Sequence, residues 1–235
     1  MFFSIISFSL LFGGCFQPGS SSNYVQRSEP NAVLAGQTAK EATLTSSLDA
    51  TAFKKYLPDI KRYSTKYGVD RLLVLAVMKQ ESEFSHDAVS HRGAYGLMQI
   101  MPVTQIELSE KVGVDETISP RNNIKAGIYH LRALYDFFGK SPSDDRIRLT
   151  LAAYNAGLGR ILDARKVAKY LGNDPRTWNA VKDALPFLSS RGYSLHQSVW
   201  PEGQPQSGYF RNWKQTVSYV ESVTAYREEL KRSSF

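Results

Sequence analysis

From residue 48 onward the chain repeats one device: apolar residues at helical spacing, opened near Asp, Asn or Pro and closed on Gly. "LDATAFKKYLPDIKRYSTKYG" sets Phe53, Tyr56, Leu57 and Ile60 on one stripe and stops at Gly68. Asp70 then stands at the N-cap of "RLLVLAVMKQES". The pattern returns in "VTQIELSEKVG", "NNIKAGIYHLRALYDFFG", "DDRIRLTLAAYNAG", "GRILDARKVAKYLG", "PRTWNAVKDALPFLS" and "WKQTVSYVESVTAYREELKR". No stretch alternates as a strand does, and no internal repeat occurs. A chain so patterned folds as an all-α, compact, single domain over residues 48–235. That length buries roughly 70% of its unfolded surface in one core. The segment "SSRGYSLHQSVWPEGQPQSGYFRN" breaks the periodicity and is expected to be a long irregular insertion, either functional or surface decoration.

The N-terminal part is different. "MFFSIISFSLLFGG" is apolar and uncharged, too short to span a bilayer comfortably, and ends in small residues as a secretory signal does. It runs into Cys15, the only cysteine of the chain, and "LFGGC" resembles a bacterial lipobox. The expectation is a signal over residues 1–14, a lipidated Cys15 and a flexible Ser/Asn/Gln/Ala/Thr-rich tether over residues 15–47, spanning roughly 30 Å. The alternatives are a plain signal followed by an incidental cysteine, or a buried apolar strand. Phe16 is not the aspartate that commonly retains lipoproteins at the inner membrane, so the anchor is expected in the outer membrane, facing the periplasm.

One cysteine excludes an intrachain disulfide and a cysteine zinc site. His86, His91, His130 and His196 have no His-Glu-x-x-His or i, i+4 pairing, so no metal site is expected, and they read as surface or structural. The net charge of +7 is spread without a basic block, which suits weak attraction to anionic polymers but not nucleic-acid recognition. "GLGR" lacks the third glycine of a dinucleotide loop, and no Gly-x-Ser-x-Gly elbow occurs.

The chemistry concentrates in "KQESEFSHDAVSHRGAYGLMQIMP". Leu73, Val77 and Glu81 share one helical face, so Glu81 leaves the most apolar helix on its buried stripe. A carboxyl there is either desolvated, protonated near neutrality and fit for general acid work, or it reaches water at the helix end. Glu83 points away to solvent. Gly93 and Gly96 flank a tight turn that carries Met98 and Gln99 towards Glu81. An acid, an apolar wall and an amide suit an uncharged polar ligand such as a sugar.

"ESEFSHDAVSHRGAYGLMQIMPVT", followed much later by "AYNAG", resembles the lytic transglycosylase family of the lysozyme superfamily, in the soluble-transglycosylase type related to goose-type lysozyme. Weaker agreement runs through "NIKAGIYHL" and "SYVESV". The resemblance implies a lysozyme-like domain with a cleft for peptidoglycan glycan strands and no cofactor. It implies Glu81 as the single acid and base, with Ser82 hydrogen-bonding near the substrate or the carboxyl. Met98 and Gln99 would line sugar subsites, and Tyr154 and Asn155 the opposite wall. On spacing alone Met98 and the tyrosines read as core; the resemblance moves Tyr154 into the cleft and leaves Tyr219 open. Departures are His86, where proline is common, and Gln215, where many relatives carry Glu. The same fold also admits a hydrolase with a second carboxylate, or a non-catalytic glycan-binding scaffold.

Overall fold

The computed structural model describes residues 52–113 and 119–233. Cys15, the signal expected over residues 1–14 and the tether expected over 15–47 lie outside them. The described residues fold as helices in the order α1 (Leu57–Tyr67), α2 (Arg71–Ser82), α3 (Pro102–Val112), α4 (Pro120–Phe137), α5 (Ser143–Ala156), α6 (Leu158–Tyr170), α7 (Trp178–Ala184), α8 (Tyr193–Val199) and α9 (Trp213–Arg232). A 3₁₀ turn, Leu185–Leu188, follows α7, and another, Ser190–Gly192, precedes α8. Among the described residues extended pairing is confined to the bridges Val89–Tyr95 and Tyr95–Ile100, in line with the all-α expectation.

The first periodic stretch is helical in two pieces, with residues 52–54 helical and a turn at 55–56 ahead of α1. Pro58 has no N–H to donate and occupies the first turn of α1, so the chain enters that helix at Leu57. Phe53 and Tyr56 are still buried ahead of it.

Helix α2 is the core element. Leu73 through Met78 are all buried, at about 1.5–3 kcal/mol for each large apolar side chain, because α1 packs on one side and α9 on another. Its start is fixed as the sequence predicts: the Asp70 carboxylate accepts from the Leu72 N–H at 3.0 Å. The other carboxylate oxygen takes two bonds from Arg227 of α9, at 2.7 and 2.6 Å. Asp70→Ala removes both the cap and this inter-helix link. A loss of about 1–2 kcal/mol in denaturant titrations is expected, the ion pair being partly exposed.

The segment expected to be irregular is partly ordered into helix. His196 and Trp200 are buried, and the Phe210 N–H closes onto Leu188 O at 2.9 Å. Asp163 of α6, almost fully buried, accepts from the backbone N–H of Gln206 at 3.3 Å and of Ser207 at 2.8 Å. An aromatic anchor and a buried carboxylate thus dock this stretch onto the domain. The sequence hid this, because the 7 residues of α8, about two turns, and isolated aromatics produce no sustained period.

Candidate active site

Glu81 occupies the last turn of α2. The helix then stops abruptly: Glu83 and Phe84 have φ of +49° and +65°, and Phe84 folds back against Phe53 with ring centroids 5.3 Å apart. Glu83 is exposed, as expected. This exit turns the chain into the 88–100 hairpin, held by Tyr95 N–H to Ile100 O, Ile100 N–H to Tyr95 O and Gly96 N–H to Ala88 O. Gly96 has φ +79°, and a Cβ there would lie 2.7 Å from the Asn123 amide nitrogen. Only glycine lets the hairpin approach α4 so closely.

Asn123 locks the approach. Its side-chain oxygen accepts from the Met98 N–H at 2.8 Å, and its amide donates to Tyr95 O at 2.9 Å. Both backbone groups belong to the turn that faces Glu81. The Gln99 amide donates to Ala88 O and Gly96 O, each at 2.9 Å, and holds a left-handed residue (φ +44°) in place.

Across from the hairpin stand α5 and α9. The Tyr219 hydroxyl donates to Glu81 Oε1 at 2.6 Å. Tyr154 donates to Met98 O at 2.7 Å, and the His130 ring packs on Tyr154 with centroids 5.3 Å apart. Asn155 accepts from the Thr216 hydroxyl at 2.8 Å, joining α5 to α9. A cleft of about 510 Å³ lies between these walls; Glu81, Ser90, Gln99, His130, Tyr154 and Asn155 are among its lining. Of the described residues that line it, Glu81 is the only carboxylate.

The surroundings set the charges. Burial pushes the Glu81 carboxyl up to about 7, against the opposing effect of the Tyr219 hydrogen bond. Burial, and then the nearby Glu81 charge, hold Tyr154 and Tyr219 well above the usual phenol range, so both stay donors. Burial holds His130 below its usual range, partly offset by the charge of Glu107. Of the two alternatives for Glu81, this upward shift agrees with the desolvated one, although the side chain is half-buried and borders the cleft. A carboxyl balanced near neutrality can give a proton and take one back.

Two expected ligand contacts are corrected. Met98 is fully buried, against Gly127 of α4, where an added Cβ would lie 2.4 Å from its sulfur. It reaches the cleft wall only through its carbonyl, on which Tyr154 rests. The Ser82 hydroxyl donates to Met78 O at 3.2 Å and Leu97 O at 2.9 Å and fastens the hairpin to α2 rather than facing a ligand. Gln99, Tyr154 and Asn155 do line the cleft, and Tyr219 reaches Glu81 itself. Sequence reasoning set His130 aside as surface or structural and missed Asn123; lone residues on a long amphipathic helix carry no local signal for either role.

Tyr219→Phe removes the bond that lowers the Glu81 pKa. The alkaline limb of a pH–rate profile is therefore expected to move to higher pH. Turnover should fall about tenfold, the worth of one hydrogen bond to a charged group. A limb that stays put would dissociate Tyr219 from the carboxyl.

Residues 59–175 match the Transglycosylase SLT domain. The chain is 35% identical over 184 residues to the membrane-bound lytic murein transglycosylase F of Desulfosudis oleivorans, covering 77% of this chain and 37% of that protein. It is 34% identical over 183 residues to the enzyme of the same name from Serratia proteamaculans, covering 77% and 35%. It thus spans little more than a third of the length of these relatives. Among solved structures it resembles the 70 kDa soluble lytic transglycosylase of Escherichia coli, with TM-score 0.51 and 26% identity over 80% of this chain and 26% of that one. The bulgecin A complex of the 70 kDa soluble enzyme gives TM-score 0.53, with 26% identity over 82% of this chain and 27% of that one.

Proposed function

The chain belongs to the SLT transglycosylase family, and we propose that it cleaves the β-1,4 bond between MurNAc and GlcNAc in peptidoglycan without water, leaving 1,6-anhydroMurNAc ends. Glu81 gives its proton to the glycosidic oxygen, and the bond to C1 of MurNAc breaks. The MurNAc N-acetyl group steadies the cationic carbon. Glu81, now a carboxylate, takes the proton of the MurNAc 6-hydroxyl, whose oxygen bonds to C1, and the acid is regenerated. The attacking oxygen is tethered to the reacting sugar, which supplies the rate advantage of an intramolecular step. Gln99 and Asn155 border the sugar subsites, Tyr219 orients the carboxyl, and Tyr154 and His130 form an apolar-faced wall.

What carries this reading is that Glu81 is the only carboxylate among the described residues lining the cleft, where burial pushes it up to about 7. A hydrolase of the usual kind places a second carboxylate about 5–9.5 Å away, as nucleophile or base. The test is a digest of purified peptidoglycan with mass spectrometry of the muropeptides. Anhydro ends, lighter than reducing ends by one water, are expected from the native protein. Reducing ends would instead establish hydrolysis, and binding without cleavage would leave a scaffold.

The proposal extends to the N-terminal part: a lipoprotein signal over residues 1–14, a lipid on Cys15, and a tether over 15–47 holding the domain in the periplasm at the outer membrane. "LFGGC" supports it, and the relatives are named membrane-bound. Among the described residues no helix is long and apolar enough to cross a membrane. Cys15→Ser is expected to shift the protein from the detergent-extracted to the soluble fraction; unchanged partitioning would remove the lipid from this account.

A further inference from the structure

Among the described residues three that are not glycine have positive φ, and all three belong to the frame of the cleft: Glu83 at +49°, Phe84 at +65° and Gln99 at +44°. Left-handed backbone is unfavourable for a residue with a Cβ, so each must be held there by its surroundings. Gln99 is held by its own amide. Glu83 is exposed, and its side chain makes no hydrogen bond among the described residues. Two backbone bonds close the turn after α2, from Glu83 N–H to Lys79 O at 3.0 Å and from Ser85 N–H to Ser82 O at 2.9 Å. The side chain that seats this turn is Phe84, which is buried.

Phe84 rests in turn on Phe53. The two rings are tilted by 54° with centroids 5.3 Å apart, inside the range that aromatic pairs favour. Phe53 is 1% exposed, and its place is fixed from α1: the Tyr56 N–H donates to Phe53 O at 2.8 Å, and the Ile60 N–H to Tyr56 O at 3.0 Å. It lies ahead of residue 59, where the SLT match begins, and it is not among the residues that line the cleft. A side chain from outside both therefore supports the turn that joins the acid's helix to the 88–100 hairpin. Cutting back the Phe53 ring removes part of the burial that offsets the left-handed backbone, so the turn relaxes. Glu81 stands three residues before Phe84, at the end of α2, and is the cleft side chain that such relaxation reaches first.

We propose that Phe53 is a positioning residue for Glu81: acting through Phe84, it holds the turn after α2 so that the carboxyl stays at the cleft wall and on the Tyr219 hydroxyl. The inference deepens the reading above and rests on Glu81 as the cleft acid. Relaxation of the turn has two opposite effects on that carboxyl. Entry of water lowers its pKa towards 4.5, and loss of the Tyr219 bond raises it. Burial is the larger of the two influences, so the net movement is downward.

The test reads the carboxyl directly. The carbon NMR signal of the Glu81 carboxyl, identified by its loss in Glu81→Gln, is titrated in the native protein, in Phe53→Leu, in Phe138→Leu and in the double variant Phe53→Leu with Glu83→Gly. Phe138 is as buried as Phe53 but packs on Phe137 at the C-terminal end of α4, so it controls for lost core packing. A midpoint near 7 is expected in the native protein and in Phe138→Leu, and one lower by about one pH unit or more in Phe53→Leu. Glycine takes positive φ freely, so Glu83→Gly is expected to restore most of that shift. In parallel, kcat on purified peptidoglycan is expected to fall about tenfold or more in Phe53→Leu and to recover in the double variant. Leucine keeps the position apolar, and thermal melts compare the stability lost in Phe53→Leu with that lost in Phe138→Leu. An unmoved midpoint in Phe53→Leu, or an equal shift in Phe138→Leu, reduces Phe53 to core packing and overturns the proposal. A shift that Glu83→Gly does not restore overturns the route through the turn. Native protein that cleaves no peptidoglycan overturns the transglycosylase reading, and the titration then still decides the role of Phe53.

Discussion

Glu81→Gln is expected to abolish strand cleavage and, at neutral pH, to make the protein more stable. General acid and general base steps contribute about 10²–10⁴-fold each, and both are assigned to this carboxyl, so a loss of at least about 10³-fold is expected in kcat. The stability change follows from the same burial. The folded carboxyl titrates at about 7 against an ordinary value of 4.5, so the fold favours the protonated form. Below pH 4.5 the group is protonated in folded and unfolded chains alike, and its burial carries no charge penalty. As pH rises from 4.5 towards 7 the unfolded chain ionises freely while the folded one resists, and above 7 the penalty levels off at about 3 kcal/mol. Glutamine has the same shape, no charge, and an oxygen that still accepts from Tyr219. Denaturant titrations should therefore show the variant ahead by up to about 3 kcal/mol at pH 8 and level with the native protein at pH 4. Equal stability at both pH values would mean that Glu81 is solvated, and the acid assigned to the cleft would have to be another group.

Asn123→Leu is expected to damage the site without touching anything that lines it. The substitution strands the Met98 N–H and takes from the Tyr95 carbonyl one of its two donors, the other being the Ile100 N–H. Leaving that N–H unpaired in a buried setting costs about 1–3 kcal/mol. The turn they belong to supplies the carbonyl under Tyr154 and the backbone of Gln99, so turnover should fall with stability. Asn123→Asp keeps the acceptor for Met98 and loses only the donor to Tyr95. It should lie between the two in both thermal melts and activity. If Asn123→Leu melts normally yet is inactive, the residue meets substrate, and its role as a brace between α4 and the hairpin is wrong.

What the sequence could reveal divides along the distance between partners. The bounds of α2 and the Asp70 cap are local consequences of spacing, and both were legible; spacing put Glu81 on the apolar stripe but left open whether it was desolvated or reached water. The tight turn was legible from Gly93 and Gly96. Side-chain direction within that turn was not: Met98 and Ser82 stand beside Gln99 and Glu81 in the chain, yet one fills the core against Gly127 and the other bonds backbone carbonyls. Long-range partners carry no spacing signal at all. Asn123 acts 25 residues from the turn it holds, and the docking of residues 206 and 207 depends on Asp163, more than 40 positions earlier. Tyr219 entered only through resemblance, and its contact with Glu81 is a property of the packed helices.

That last pairing has a consequence for the order in which the molecule is built. The carboxyl and its tyrosine are separated by 138 positions, and α9 also supplies Arg227, which grips the opposite end of α2. During synthesis from the N-terminus, α2, the hairpin and α5 all emerge before α9 exists. The chain therefore carries this carboxyl unaligned until α9 docks, and whatever proton transfer the pair supports waits for that step.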